Sequence, residues 1–192
     1  GIGISSGYYS SDESVSFFYD GENVKDEETW RHELTHQLFR ESINTKSAFE
    51  DQFIWLNEGI ACYTESLADF GDYVTLGGFD SPRLQHARIR VFLENYPFST
   101  KEMSGIGRKE LQAREDITRL YGVAAGLADM LMNDRNGEME PRLIEFLKLI
   151  YTGRKIKPDT FEKVIGYSYD ELDARFPKFL QVDSNFVTIH LS

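Results

Sequence analysis

His32, Glu33 and His36 spell His-Glu-x-x-His within residues 29–39, and no other residues of the chain are as well suited to chemistry. On an α-helix, residues four apart lie one above the other, so two imidazoles at this spacing reach one metal ion. Glu33, one position round from His32, leans toward the same ion without taking a ligand position. Two neutral imidazoles hold zinc in such an arrangement, and a carboxylate accepts the proton of a water acidified by the metal. The plainer reading is a surface helix that carries two histidines. With four histidines in 192 residues, the pattern arises by chance in about 1% of such chains.

A catalytic zinc needs a third protein ligand and an open position. The segment Trp55-Leu56-Asn57-Glu58-Gly59-Ile60-Ala61 supplies a carboxylate, Glu58, from the helix that follows. With both motifs in view the chain resembles the gluzincin metallopeptidases, and Trp-Leu-Asn-Glu-Gly-Ile-Ala-Cys-Tyr-Thr-Glu is most similar to their peptidase-MA-like branch, which includes bacterial domains of unknown function. The likeness runs over about residues 7–180. Tyr121-Gly122-Val123-Ala124-Ala125 and Phe161-Glu162-Lys163-Val164-Ile165-Gly166-Tyr167-Ser168 belong to it, although only the two metal motifs are specific.

The resemblance implies an α+β, mostly helical, zincin-like metalloprotease fold, with a small N-terminal antiparallel strand pair and a helical C-terminal half. It implies one zinc ion on His32, His36 and Glu58, hydrolysis of peptide bonds in a peptide or protein substrate, and Glu33 as general base. In related gluzincins a tyrosine or histidine from a later helix steadies the oxyanion. By resemblance that donor is Tyr121, with Tyr63, Tyr167 and Tyr169 behind it, and a hydroxyl packed in the core is the plainer reading of each. Cys62, four positions after Glu58, stands where some members place an acidic residue. That departure leaves room for a zinc-containing binding or structural module without efficient turnover, and hydrolysis of a non-peptide amide is a third option. Against the module, Glu33 has no use at a structural site, which four protein ligands usually close.

The elements that must position these groups follow from periodicity. Residues 25–42 read as the motif helix, with Asp26 as N-cap and Glu27 and Glu28 in the first turn, where the helix dipole favours negative charge. Trp30, Leu34 and Leu38 fall opposite the histidines and are expected to anchor it to a core. Residues 7–20 read as a hairpin whose edge can pair with extended substrate, or whose aromatics cover the core. A second helix is expected over 55–67, where small Gly59, Ala61 and Cys62 let two helices share one ion. Glu65, on the same face as Glu58, can orient an imidazole or end the helix in solvent.

Further on, 81–92 reads as a helix capped by Ser81 with Pro82 at its first position, and His86 on it lacks a partner at ligand spacing. Residues 96–107 read as a loop that can line the cleft. The stretch 108–133 reads as one long central helix with an apolar stripe through Leu120, Val123, Ala124, Leu127, Met130 and Leu131. Helices are expected over 141–151 (Leu143, Ile144, Leu147 and Ile150 inward), over 159–165, and from Ser168 toward Leu180 with Glu171 completing a capping box. The alternating tail, 185–191, reads as a strand. These elements are expected to form one domain over 1–192, with strand pair and metal helices in 7–67, a helical part in 68–180 and the tail in 181–192.

Composition closes off other classes. The hydrophobic content of 41% suits a globular chain. A net charge of −11 disfavours phosphate-rich partners, so nucleic acid is not expected. A single cysteine excludes an intrachain disulfide, and Cys62 reads as a packing residue. No apolar run approaches the ~18 residues of a membrane span. The chain opens on Gly1 in place of Met, so it is expected to be cut from a longer one, with any export signal removed and a lean toward an extracytoplasmic setting. Oligomeric state and substrate preference have no signature in it.

Overall fold

A computed structural model of the chain describes residues 7–10, 12–18, 25–42, 49, 51–78, 81–152, 156–181 and 186–191. In order, the elements are β1 (Gly7–Ser10), β2 (Val15–Phe18), α1 (Lys25–Glu41), α2 (Ile54–Thr64), β3 (Ala68–Asp69), β4 (Tyr73–Gly77), α3 (Pro82–Arg88), α4 (Thr100–Ser104), α5 (Arg108–Gln112), α6 (Ile117–Asn133), α7 (Glu140–Tyr151), α8 (Thr160–Ile165), α9 (Tyr169–Leu180) and β5 (Phe186–His190). The chain is therefore α+β and mostly helical, with a two-stranded antiparallel sheet at its start. A second sheet has the order β3-β4-β5, and the tail strand lies antiparallel to β4 with Val74 opposite Ile189.

α6 runs through the core, as its stripe predicts: Leu120, Val123, Ala124, Leu127, Met130 and Leu131 are all buried. α2 lies against it at close range. A Cβ placed on Gly59 would meet Ala124 O at 2.5 Å and Ala128 Cβ at 3.1 Å, so only glycine allows this approach. Gly59 therefore serves the packing of α2 on α6, whereas its small size was expected to serve the meeting of the two metal helices. Cys62 is the small residue that faces α1, its Sγ 3.9 Å from His32 Nδ1.

Several expectations are corrected. Trp30, Leu34 and Leu38 are 40%, 44% and 67% exposed, so the apolar stripe of α1 does not anchor it to the core. The histidine side of α1 faces α2 instead, and the hairpin covers part of the stripe, with the Phe18 ring 5.8 Å from that of Trp30. α2 stops at Thr64, short of Leu67, because the Thr64 and Ser66 hydroxyls donate to the carbonyls of Ala61 and Tyr63. Ser81 precedes α3 without a side-chain cap bond, and α3 runs on into a π-helical turn over Ile89–Leu93.

The expected loop at 96–107 contains α4, capped by Ser99 Oγ, and the expected helix over 108–133 breaks in two. Asp116 sits at that break, where its carboxylate accepts from Tyr96 Oη at 2.7 Å and from the Arg114 guanidinium at 2.7 and 2.8 Å. In α7, Ile144 is exposed and Phe146 takes the buried place. Asp26 falls within the first turn of α1, and 19–24, where a cap would lie, are outside the described residues. The capping box of Ser168 and Glu171 is present, and Gly166 ends α8 at φ 79°.

One buried carboxylate joins a hydrogen-bond network across the α2–α6 seam. Asp129 is 3% exposed, and Asn133 Nδ2 donates both to it and to Tyr63 Oη. Burial pushes its pKa up from 3.8 to about 7, against the bond from Asn133 and the charge of Arg88. The folded chain thus keeps a proton here that the unfolded chain releases, so this site stabilises least above pH ~7 and most below pH ~4. Asp129→Asn keeps an oxygen for Asn133 and removes the charge. Urea unfolding is expected to show the variant more stable than the parent by about 2–4 kcal/mol at pH 8, with the difference shrinking toward pH 4. A variant less stable than the parent at pH 8 would count against a raised pKa for Asp129.

Candidate metal centre

The hairpin and α2 position α1 from two sides. Tyr9 N–H on β1 donates to Glu33 Oε2 at 2.9 Å, and Ser16 Oγ on β2 donates to Gln37 Oε1 at 2.7 Å. On the other side, the hydroxyls of Thr35 and Thr64 meet at 2.6 Å. The start of α2 is set by Phe53, a non-glycine residue at φ 57°. Holding it there costs on the order of 1 kcal/mol. Its ring is buried 5.0 Å from Phe146 and 5.6 Å from Phe161, which offsets that strain and fixes where the helix begins. Through that start it fixes which way Glu58 points.

Three donor atoms converge between α1 and α2. His32 Nε2 and His36 Nε2 are 3.1 Å apart, and Glu58 Oε2 lies 3.5 Å from the first and 3.3 Å from the second. Glu58 is 6% exposed and both imidazoles are half-buried, so the cluster is largely shielded from water. Behind His32, Nδ1 lies 2.7 Å from Glu65 Oε1, and Glu65 in turn accepts from Arg83 Nε at 2.6 Å and Nη2 at 2.8 Å. Behind His36, the Asn57 amide meets Nδ1 at 3.2 Å and Tyr151 Oη at 3.4 Å.

The electrostatics keep Glu58 ionised beside the imidazoles. Burial works against the charge of Glu58, yet His36 and His32 outweigh it and hold its pKa well below the ordinary carboxylate range. For His32, burial opposes the cation while contacts with Cys62, Glu58 and Glu65 raise its pKa well above the ordinary imidazole value. Glu33 behaves differently: burial raises its pKa, and the imidazoles and the Tyr9 N–H only moderate the rise. A carboxylate with raised pKa beside two imidazoles is a better proton acceptor than an ordinary one.

Tyr121 is brought to the vicinity of Glu58, and burial and the Glu58 charge push its pKa far up. The other tyrosines do not reach the centre: Tyr63 Oη meets Asn133 in the core, Tyr167 lies under Arg175, and Tyr169 stacks on Phe161. His86 is exposed on α3. Sequence reasoning overlooked Asn57 as a partner of His36, although it adjoins Glu58 in the quoted motif. Tyr151 and Arg83 carried no signal at all. No family model, curated protein or solved structure matches the chain.

Proposed function

We propose that the chain is a zinc-dependent metallopeptidase of the gluzincin type, with a zincin-like fold. The observation that carries this reading is the triangle of His32 Nε2, His36 Nε2 and Glu58 Oε2, with sides of 3.1, 3.3 and 3.5 Å. Tetrahedral zinc at 2.0–2.1 Å from its ligands spaces them about 3.3–3.4 Å apart, so this donor set fits the ion in size and chemistry. When bound, zinc supplies Lewis acidity at a scissile carbonyl and lowers the pKa of water.

The chain's own residues supply the rest. With both Nε2 lone pairs turned to the ion, each histidine carries its proton on Nδ1; Glu65 accepts it from His32. Asn57 accepts it from His36 once its amide oxygen faces that nitrogen, a half-turn of the amide. Glu33 takes a proton from the attacking water as its oxygen bonds to the carbonyl carbon, then passes that proton to the leaving nitrogen as the C–N bond breaks. Tyr121, buried beside the Glu58 charge, is the hydroxyl proposed to donate to the oxyanion. Tyr9 N–H belongs to a strand edge that extended peptide can approach, and it holds Glu33 in place beforehand.

The test is incubation of a broad peptide library with the chain as purified, after chelator treatment, and after zinc is restored. Cleavage is expected in the first and third samples only. A chain that retains one zinc and cleaves nothing in the library would leave the binding-module reading in its place.

A further inference from the structure

The pair of a half-buried Arg83 and a buried Glu65 lies behind the metal centre and belongs to none of the motifs. Glu65 follows the last turn of α2 and is 7% exposed, and Arg83 reaches it from the first turn of α3. Both Glu65 oxygens are engaged: Oε2 by Arg83 Nε at 2.6 Å, and Oε1 by Arg83 Nη2 at 2.8 Å and by His32 Nδ1 at 2.7 Å. A guanidinium fork on two carboxylate oxygens fixes position and plane together, which one ammonium group cannot do. Without a partner, a carboxylate this deeply buried would take up a proton or turn toward water.

The arrangement bears on which face of His32 is offered. Around Nδ1 there is a second set of donors, since Cys62 Sγ, Glu65 and His32 Nδ1 lie within 4.8 Å of one another. With Arg83 on both Glu65 oxygens, that set is closed to a cation, and an ionised Glu65 demands the proton of Nδ1. The Nε2 lone pair is then left for the side where His36 and Glu58 stand.

We infer that Arg83 is a positioning residue of the metal centre: by holding Glu65 in place to accept from His32 Nδ1, it presents His32 Nε2 to the ion. The inference rests on the zinc reading of His32, His36 and Glu58. It assigns to Arg83 an effect on the metal that acts wholly through Glu65, and loss of partners at this remove from a metal typically weakens binding 10–100-fold.

The experiment is a zinc competition titration on the parent, Arg83→Met, Glu65→Gln, the double variant and Arg83→Lys, with thermal unfolding of each metal-free chain alongside. Arg83→Met and Glu65→Gln are each expected to bind zinc 10–100-fold more weakly than the parent. The double variant is expected to match the weaker single variant within about twofold, because Arg83 has no route to the ion once Glu65 is neutral. Arg83→Lys keeps the cation and with it the fold, but loses the fork, and is expected to lose at least part of the affinity. Parent affinity in Arg83→Met or Arg83→Lys overturns the inference, as does a double variant whose loss is the product of the two single losses. A parent that takes up no zinc overturns the metal reading itself, whereas a zinc-binding parent with indifferent Arg83 variants overturns only the role of Arg83.

Discussion

Glu33→Gln is expected to keep zinc at the parent level and to lower peptide turnover by about 10²- to 10⁴-fold, the contribution of a positioned general base. Gln keeps the length of the side chain and an oxygen to accept from Tyr9 N–H, so the link between β1 and α1 survives. It cannot take the proton of water. Glu33 is not one of the three converging donors, and the variant leaves His32, His36 and Glu58 as they are. The measurement is kcat/KM on any peptide the parent cleaves, with zinc per chain and far-ultraviolet circular dichroism on the same preparations. Turnover in Glu33→Gln within a few-fold of the parent would remove Glu33 from the reaction. Equal capture of one peptide partner by parent and variant, without cleavage by either, would favour a binding module.

His36→Ala combined with Glu58→Ala is expected to abolish stoichiometric zinc. The parent offers three donors at tetrahedral spacing; the double variant leaves His32 alone. Single imidazoles hold zinc too weakly to survive purification, so elemental analysis should read about one zinc per parent chain and almost none in the variant. Thermal unfolding provides an independent readout. Zinc at 1,000 times its dissociation constant stabilises the fold by about 4 kcal/mol, so added zinc should raise the parent's midpoint and leave the variant's unchanged. Removing Glu58 also relieves a buried carboxylate, so the metal-free variant is not expected to unfold outright. Undiminished zinc in the double variant would sink the ligand assignment.

Much of the fold was legible because it follows from local rules. The hairpin showed in alternation, α6 in its apolar stripe, α9 in the capping box of Ser168 and Glu171, and the end of α8 in Gly166. Even β5 showed as alternation, though its pairing with β4 did not, since pairing across more than a hundred residues leaves no local mark. The break between α5 and α6 was hidden for a related reason. Its stretch is helical by propensity, and what ends it is an ion pair within the break joined by the distant Tyr96.

The face of α1 shows the limit most clearly. Trp30, Leu34 and Leu38 form a regular apolar stripe, and periodicity assigns such a stripe to a core. In the structure the polar side of α1, with His32, Thr35 and His36, meets α2, while the stripe stays largely exposed. Hydrogen bonds and convergent charge at the centre decided the orientation of this helix, and a pattern read along one segment has no access to them.

By itself the sequence determined the types and spacing of the chemical groups: two imidazoles and a carboxylate on successive turns of one helix, and a second carboxylate, Glu58, on the next. Only the tertiary structure decided how those groups are aimed. Gly59 brings α2 against α6 within a distance no other side chain allows, Phe53 sets the start of α2, and Glu65, held by Arg83, and Asn57 stand behind the two imidazoles. The physical reason is that helix periodicity places residues on a face from local geometry alone. The direction of a lone pair depends on hydrogen bonds from elements far along the chain, which are formed only when the core packs.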